Sequence, residues 1–102
     1  MSKVYGYCRV AFEDDEELAK QCKMIQDYCE DKGLNVDEYF CDNGVSGLKY
    51  DRNELHKMFR VLQEGDIVVI KDIARLSRNM YQCMYLVEKI QEIGATLEII
   101  NM

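Results

Sequence analysis

A chain of 102 residues, 48% hydrophobic, 10% aromatic and 31% charged, is large enough for one compact core and too small for two independent ones. With 13 Lys and Arg against 19 Asp and Glu the formal charge is −6, which excludes a general positive field drawing the whole chain to nucleic acid or an anionic membrane surface. No apolar run approaches the roughly 20 residues needed to cross a bilayer, and Met1-Ser2-Lys3-Val4 leads into a strand-like segment with no signal-peptide region, so a soluble, cytoplasmic protein without a membrane partner is expected.

Val4-Tyr5-Gly6-Tyr7-Cys8-Arg9-Val10 is short, aromatic and β-branched, and reads as a first strand. From Glu16 to Lys32 the residues Leu18, Cys22, Ile25 and Cys29 recur at helical spacing, behind first-turn carboxylates and ahead of Gly33 as a stop. Val36 to Cys41 reads as a second strand, and Asp42-Asn43-Gly44-Val45-Ser46-Gly47 as a loop. Asp51 and Glu54 have capping-box spacing, and Leu55, Met58, Phe59 and Leu62 mark one face of a second helix from about Arg52 to Glu64. Asp66 to Lys71 is a near-continuous β-branched run, the signature of a central strand covered on both faces. Met80, Cys83, Met84, Val87 and Ile90 form a third helical stripe that stops at Gly94, and Thr96 to Ile100 is the last strand. This strand-helix alternation predicts a three-layer α/β/α domain over residues 1–102, with a mainly parallel sheet of four to five strands and ligand sites at the strands' carboxyl ends.

The five cysteines, Cys8, Cys22, Cys29, Cys41 and Cys83, are an odd set without CxxC or Cys/His spacing. They read as reduced core thiols, and neither a metal nor a cofactor is expected. Four of the five arginines, Arg9, Arg52, Arg75 and Arg78, lie in or beside segments emerging from strand ends, whereas Arg60 sits mid-helix. Converging guanidinium groups suit phosphate oxygens and would make a local anion pocket, with a phosphodiester as the expected anion, on an otherwise acidic domain. The alternative is that each arginine pairs with its own neighbour, such as Asp51 or Asp72. The run Glu13-Asp14-Asp15-Glu16-Glu17 is a favourable charge set for a helix N-terminus and also opposes an approaching DNA backbone.

Tyr7-Cys8-Arg9-Val10, Gln21, Asp42-Asn43-Gly44-Val45-Ser46-Gly47, Asp51-Arg52, Gly65-Asp66 and Arg75-Leu76-Ser77-Arg78, in that order, resemble the catalytic domain of resolvase/invertase-type serine site-specific recombinases over almost the whole chain. The resemblance implies a fold of the class just described and a reaction in which a serine joins a DNA phosphate while arginines hold it and stabilise its transition state. Matched by motif, Arg9, Arg52, Arg75 and Arg78 are the phosphate-binding arginines, Gln21 is a supporting polar position and Ser46 belongs to the family's Ser-Gly. Two positions depart. The nucleophile position, two residues after Arg9, holds Ala11, and the usual Asp before Arg75 is replaced by Ala74.

An alanine methyl forms no phosphoester, so the family's DNA strand cleavage and exchange is expected to be absent. Hydroxyl substitutes are scarce: Ser2, Ser46, Ser77 and Thr96 are the only serines and threonine, and Ser46 is not in a Gly-x-Ser-x-Gly elbow. Strand alternation aims Cys8 away from Arg9 and Ala11, which makes it a core thiol, and His56 reads as a solvated helix residue. The resemblance further implies a catalytic-domain core without the family's long dimerisation helix and C-terminal DNA-binding region. DNA would then be a partner in the full-length context, with weak or no binding by this domain alone, and recombinase subunits would be the protein partners. The competing function is a non-catalytic interaction module that regulates an active recombinase through mixed oligomers. A phosphate-binding flavodoxin-like or receiver-like module is a third reading, but the chain lacks Gly-x-Gly-x-x-Gly and the Walker pattern.

Overall fold

The computed structural model describes residues 2–44 and 53–101. Strand β1 spans Val4–Val10, helix α1 Asp15–Asp31, β2 Glu38–Asn43, α2 Asn53–Val61, β3 Ile67–Ile70, a short 3-10 turn Ile73–Arg75, α3 Met80–Ile93 and β4 Thr96–Ile99. The four strands form one all-parallel sheet in the order β2-β1-β3-β4, so β1 and the β-branched β3 are central, as their composition requires.

All seven residues of β1 are buried, and alternation sends them to two cores. Tyr5 and Tyr7 pack with Phe40, Leu55, Met58, Leu86 and Ile90 beneath α2 and α3, while Val4 and Cys8 pack with Ile25 and Cys29 of α1. Each buried aliphatic side chain of this kind contributes about 1.5–3 kcal/mol. Gly6 shares the α1-facing parity. A Cβ there would stand 2.8 Å from Cδ1 of Tyr39 and 3.2 Å from Cγ2 of Ile25, so the missing side chain lets these groups close over the strand.

The helix ends follow their sequence signals. Asp14 caps α1 by accepting from the Glu17 N–H at 3.0 Å, with Asp15, Glu16 and Glu17 in the first turn, and Gly94 ends α3 in the left-handed region at φ +93°. Two elements differ from expectation by more than one residue. Pairing of β2 with β1 runs from Tyr5↔Glu38 to Val10↔Asn43, because Leu34 and Val36 serve as packing residues of the connection while β1 remains extended to its end. Helix α2 stops at Val61, since Asp66 draws the next turn away from the helix: its carboxylate accepts from Gln63 N–H at 2.8 Å and from Lys3 N–H at 2.9 Å. Asp51, expected to cap α2, lies outside the described residues. The first-turn N–H groups of Glu54 and Leu55 donate to the buried carboxylate of Asp42, at 3.0 and 3.2 Å, and Asp42 also accepts from the Tyr7 hydroxyl at 2.7 Å.

Candidate functional site

The carboxyl ends of β1 and β3 bring Arg9 and Arg75 together. Arg9 is only 2% exposed: it shares the parity of Tyr5 and Tyr7, and its guanidinium crosses to the turn after β3. There Nε donates to the Arg75 carbonyl at 3.1 Å and Nη2 to the Ala74 carbonyl at 2.7 Å. Arg75 returns the contact, its Nη1 donating to the Arg9 carbonyl at 2.6 Å. Gln21 reaches up from α1 and grips the same peptide from the other side: its Oε1 accepts from the Arg9 N–H at 3.2 Å and its Nε2 donates to the Arg9 carbonyl at 3.0 Å. Gln21 is thus a positioning residue for Arg9, and Arg9 in turn clamps the 3-10 turn that carries Arg75.

Among the described residues, the expected pairing of an arginine with a neighbouring acid is seen at Arg75. Nε of Arg75 lies 3.1 Å from Oδ1 of Asp72, which supplies a carboxylate to Arg75 although Ala74 stands at the acidic position of the motif. Ala11 is half-buried one residue beyond β1, and Ala74 sits within the 3-10 turn with its carbonyl held by Arg9. Arg78 is exposed on the segment leading into α3. Ser77 is buried, donates to Oε1 of Gln82 at 2.6 Å and accepts from the Asn79 N–H at 3.0 Å, which makes it part of the helix-entry structure. Ser46 and Arg52 lie outside the described residues. The acidic run after Ala11 is anchored at α1, with Glu17 3.5 Å from Lys71 and Asp15 accepting from Nδ2 of Asn43 at 2.8 Å.

Two features beside this site were not visible in the spacing of residues. One is Asp42, placed by β2 between Tyr7 and the start of α2; its signal is a carboxylate immediately before Asn-Gly at a strand end. The other is a thiol cluster on the α1 side of the sheet. Cys8 and Cys41 are register partners on β1 and β2, and Cys22 descends on them from α1, with sulfur separations of 3.7 Å (Cys8 to Cys22) and 3.8 Å (Cys22 to Cys41). Hydrogen bonding from Cys8 pulls the Cys41 thiol down to about 7, while that contact and burial push the Cys8 thiol up. The cysteines are therefore not all separate core thiols. Along α3, a groove of about 570 Å³ is lined by Ile73, Arg78, Met80, Met84 and Val87.

Residues 4–102 match the family described as resolvase, N-terminal domain. The chain is 37% identical over 96 residues to a resolvase of Clostridium perfringens, covering 94% of this chain and 48% of that protein. It is 34% identical over 91 residues to the transposon Tn917 resolvase of Enterococcus faecalis, covering 89% and 45%. It therefore spans about half the length of the curated relatives it matches. Among solved structures, the C-terminal catalytic domain of ISC1926 TnpA, an IS607-like serine recombinase, superposes with a TM-score of 0.87 at 31% identity, over 98% of this chain and 68% of that one. The N-terminal catalytic domain of TP901-1 integrase superposes with a TM-score of 0.90 at 25% identity, over 98% and 79%.

Proposed function

The chain belongs to the resolvase family, spanning its N-terminal domain, and from that premise we propose that it is the core of a serine-recombinase catalytic domain that has lost strand cleavage. The observation that carries this reading is Ala11. It follows the end of β1, two residues after the buried Arg9 that is locked to Arg75, at the position where the resemblance calls for the nucleophilic serine. Cleavage through a phosphoserine needs an oxygen lone pair to attack phosphorus while the leaving deoxyribose oxygen takes a proton. A methyl group offers neither the lone pair nor a proton to pass on. Arg9 and Arg75 retain a mutually braced arrangement, so the scaffold outlasts the chemistry. DNA and recombinase subunits are the proposed partners of the family context. The domain alone binds duplex DNA weakly, because its charge of −6 and its acidic run oppose the phosphate backbone. Salt-resistant, submicromolar binding in a fluorescence anisotropy titration would contradict that. The proposed location is the cytoplasm; among the described residues no helix is long and apolar enough to cross a membrane.

The inactivity is tested by joining this domain to the C-terminal parts of a compatible recombinase and trapping covalent protein-DNA complex on that recombinase's own site. No complex is expected from the unaltered chain.

A second reading rests on α3. Met80 and Tyr81 are 76% and 84% exposed, and Met84, Tyr85 and Ile73 extend the same apolar surface. Such a patch fits an interaction module that pairs with an active recombinase in mixed oligomers. Co-purification with a full-length family member, abolished by Tyr81→Glu with Met84→Glu, is its test.

A further inference from the structure

Cys8, Cys22 and Cys41 come from three different elements, yet all three sulfurs lie within 4.8 Å of one another. Cys29, in the same apolar cluster, is not part of this triangle. A metal held by thiolates at about 2.3 Å in tetrahedral geometry sets its sulfurs about 3.8 Å apart; Cys22 lies at 3.7 and 3.8 Å from its two partners, and the third separation is within 4.8 Å. Cys8 is buried, whereas Cys22 and Cys41 are half-buried, so the triangle is not sealed on every side by the core. Three sulfur donors without histidine select soft cations over Mg2+ or Ca2+.

We propose that Cys8, Cys22 and Cys41 form a binding site for one thiophilic d10 metal ion, of the Zn2+ and Cd2+ class, with the fourth coordination position left to solvent or an added ligand. Each thiol still protonated releases its proton to the buffer as its sulfur lone pair bonds the metal, and nothing is oxidised or reduced. The site would tie α1, β1 and β2 together directly behind the arginine pair. Each ligand is the sequence neighbour of a residue hydrogen-bonded in or beside the arginine site: Cys8 of Arg9, Cys22 of Gln21, and Cys41 of Asp42.

The test uses Cd2+ added to the reduced full chain, read by its sulfur-to-metal charge-transfer absorption and by mass-spectrometric alkylation of the five cysteines. The expected result is one Cd2+ per chain, with labelling of Cys22 and Cys41 suppressed and that of Cys83 unchanged. Cys22→Ser and Cys41→Ser each weaken binding by on the order of a hundredfold or more, since removing a ligand costs at least as much as removing the groups that orient one. Cys83→Ser, outside the cluster, leaves binding unchanged. The alkylation readout needs no variant, so a misfolded substitution does not decide the question. Absence of stoichiometric Cd2+ binding, or binding that leaves Cys22 and Cys41 as reactive as before, overturns the proposal.

Discussion

Asp42 is the residue through which β1, β2 and the start of α2 are joined, and its removal is the perturbation whose size the structure fixes best. Asp42→Ala deletes the acceptor of the Glu54 and Leu55 N–H groups and of the Tyr7 hydroxyl. Loss of a helix cap costs about 0.5–2 kcal/mol. Taking a buried hydroxyl's charged acceptor away adds about 1.5–3 kcal/mol, partly offset by rearrangement. A total of roughly 2–4 kcal/mol is expected. At about 4–8 °C per kcal/mol for a domain near this size, that lowers Tm by roughly 8–32 °C. Tyr7→Phe removes the shared hydroxyl bond, and in a double-mutant cycle it couples to Asp42→Ala by about 1–2 kcal/mol, because the double variant loses that bond only once. Urea unfolding of the four proteins measures both quantities. A destabilisation by Asp42→Ala below about 1 kcal/mol, or additivity of the two substitutions, would refute the reasoning that this carboxylate anchors α2.

Two further predictions follow from the charged groups. Inorganic phosphate titrated into the labelled protein should move the amide resonances around Arg75 and Arg78 first, and largest shifts at Lys20, Lys23 and Lys57 would mean that the arginines form no anion site. The hydrogen bond from the Tyr28 hydroxyl to Oε1 of Glu98, at 2.7 Å, together with Lys32 at 3.4 Å, holds the Glu98 carboxyl below the usual glutamate range. A lowered folded-state pKa contributes stability that is present above the unfolded value and disappears as pH falls through the folded one. Stability should therefore fall through that acidic window, and Glu98→Gln should flatten this part of the pH profile; an unchanged acid limb in urea melts at stepped pH would contradict the assignment.

What the sequence reveals and what it hides divide along local and long-range physics. The alternating β-branched and aromatic β1, the apolar stripes of α1 and α3, the Asp14 and Gly94 ends and the central place of β3 all follow from patterns within a few residues. So does the convergence of Arg9 and Arg75, because both leave carboxyl ends of neighbouring parallel strands. The role Arg9 plays there was not legible. The same side chain that reads as an anion ligand is buried against the carbonyls of Ala74 and Arg75, a contact 65 residues away along the chain. The cap of α2 was equally hidden, since Asp42 sits on a different element from the helix it caps. The thiol triangle depends on the β1-β2 register, which sets Cys8 opposite Cys41, and on the rotation of α1, neither of which a search for short Cys spacings detects.

The central proposal is that the braced Arg9–Arg75 pair is retained where the family's nucleophile is absent. It is tested most directly by trapping covalent protein-DNA complex in the grafted recombinase with four versions of this domain: unaltered, Ala11→Ser, Ala74→Asp, and both changes together. The account predicts no complex from the unaltered domain or from Ala74→Asp. It predicts little from Ala11→Ser alone, because residues acting as a catalytic unit are strongly non-additive, and a phosphoserine linkage at position 11 from the double change. Covalent complex formed by the unaltered Ala11 domain would contradict the account and move the search for a nucleophile to Ser46 or Ser77.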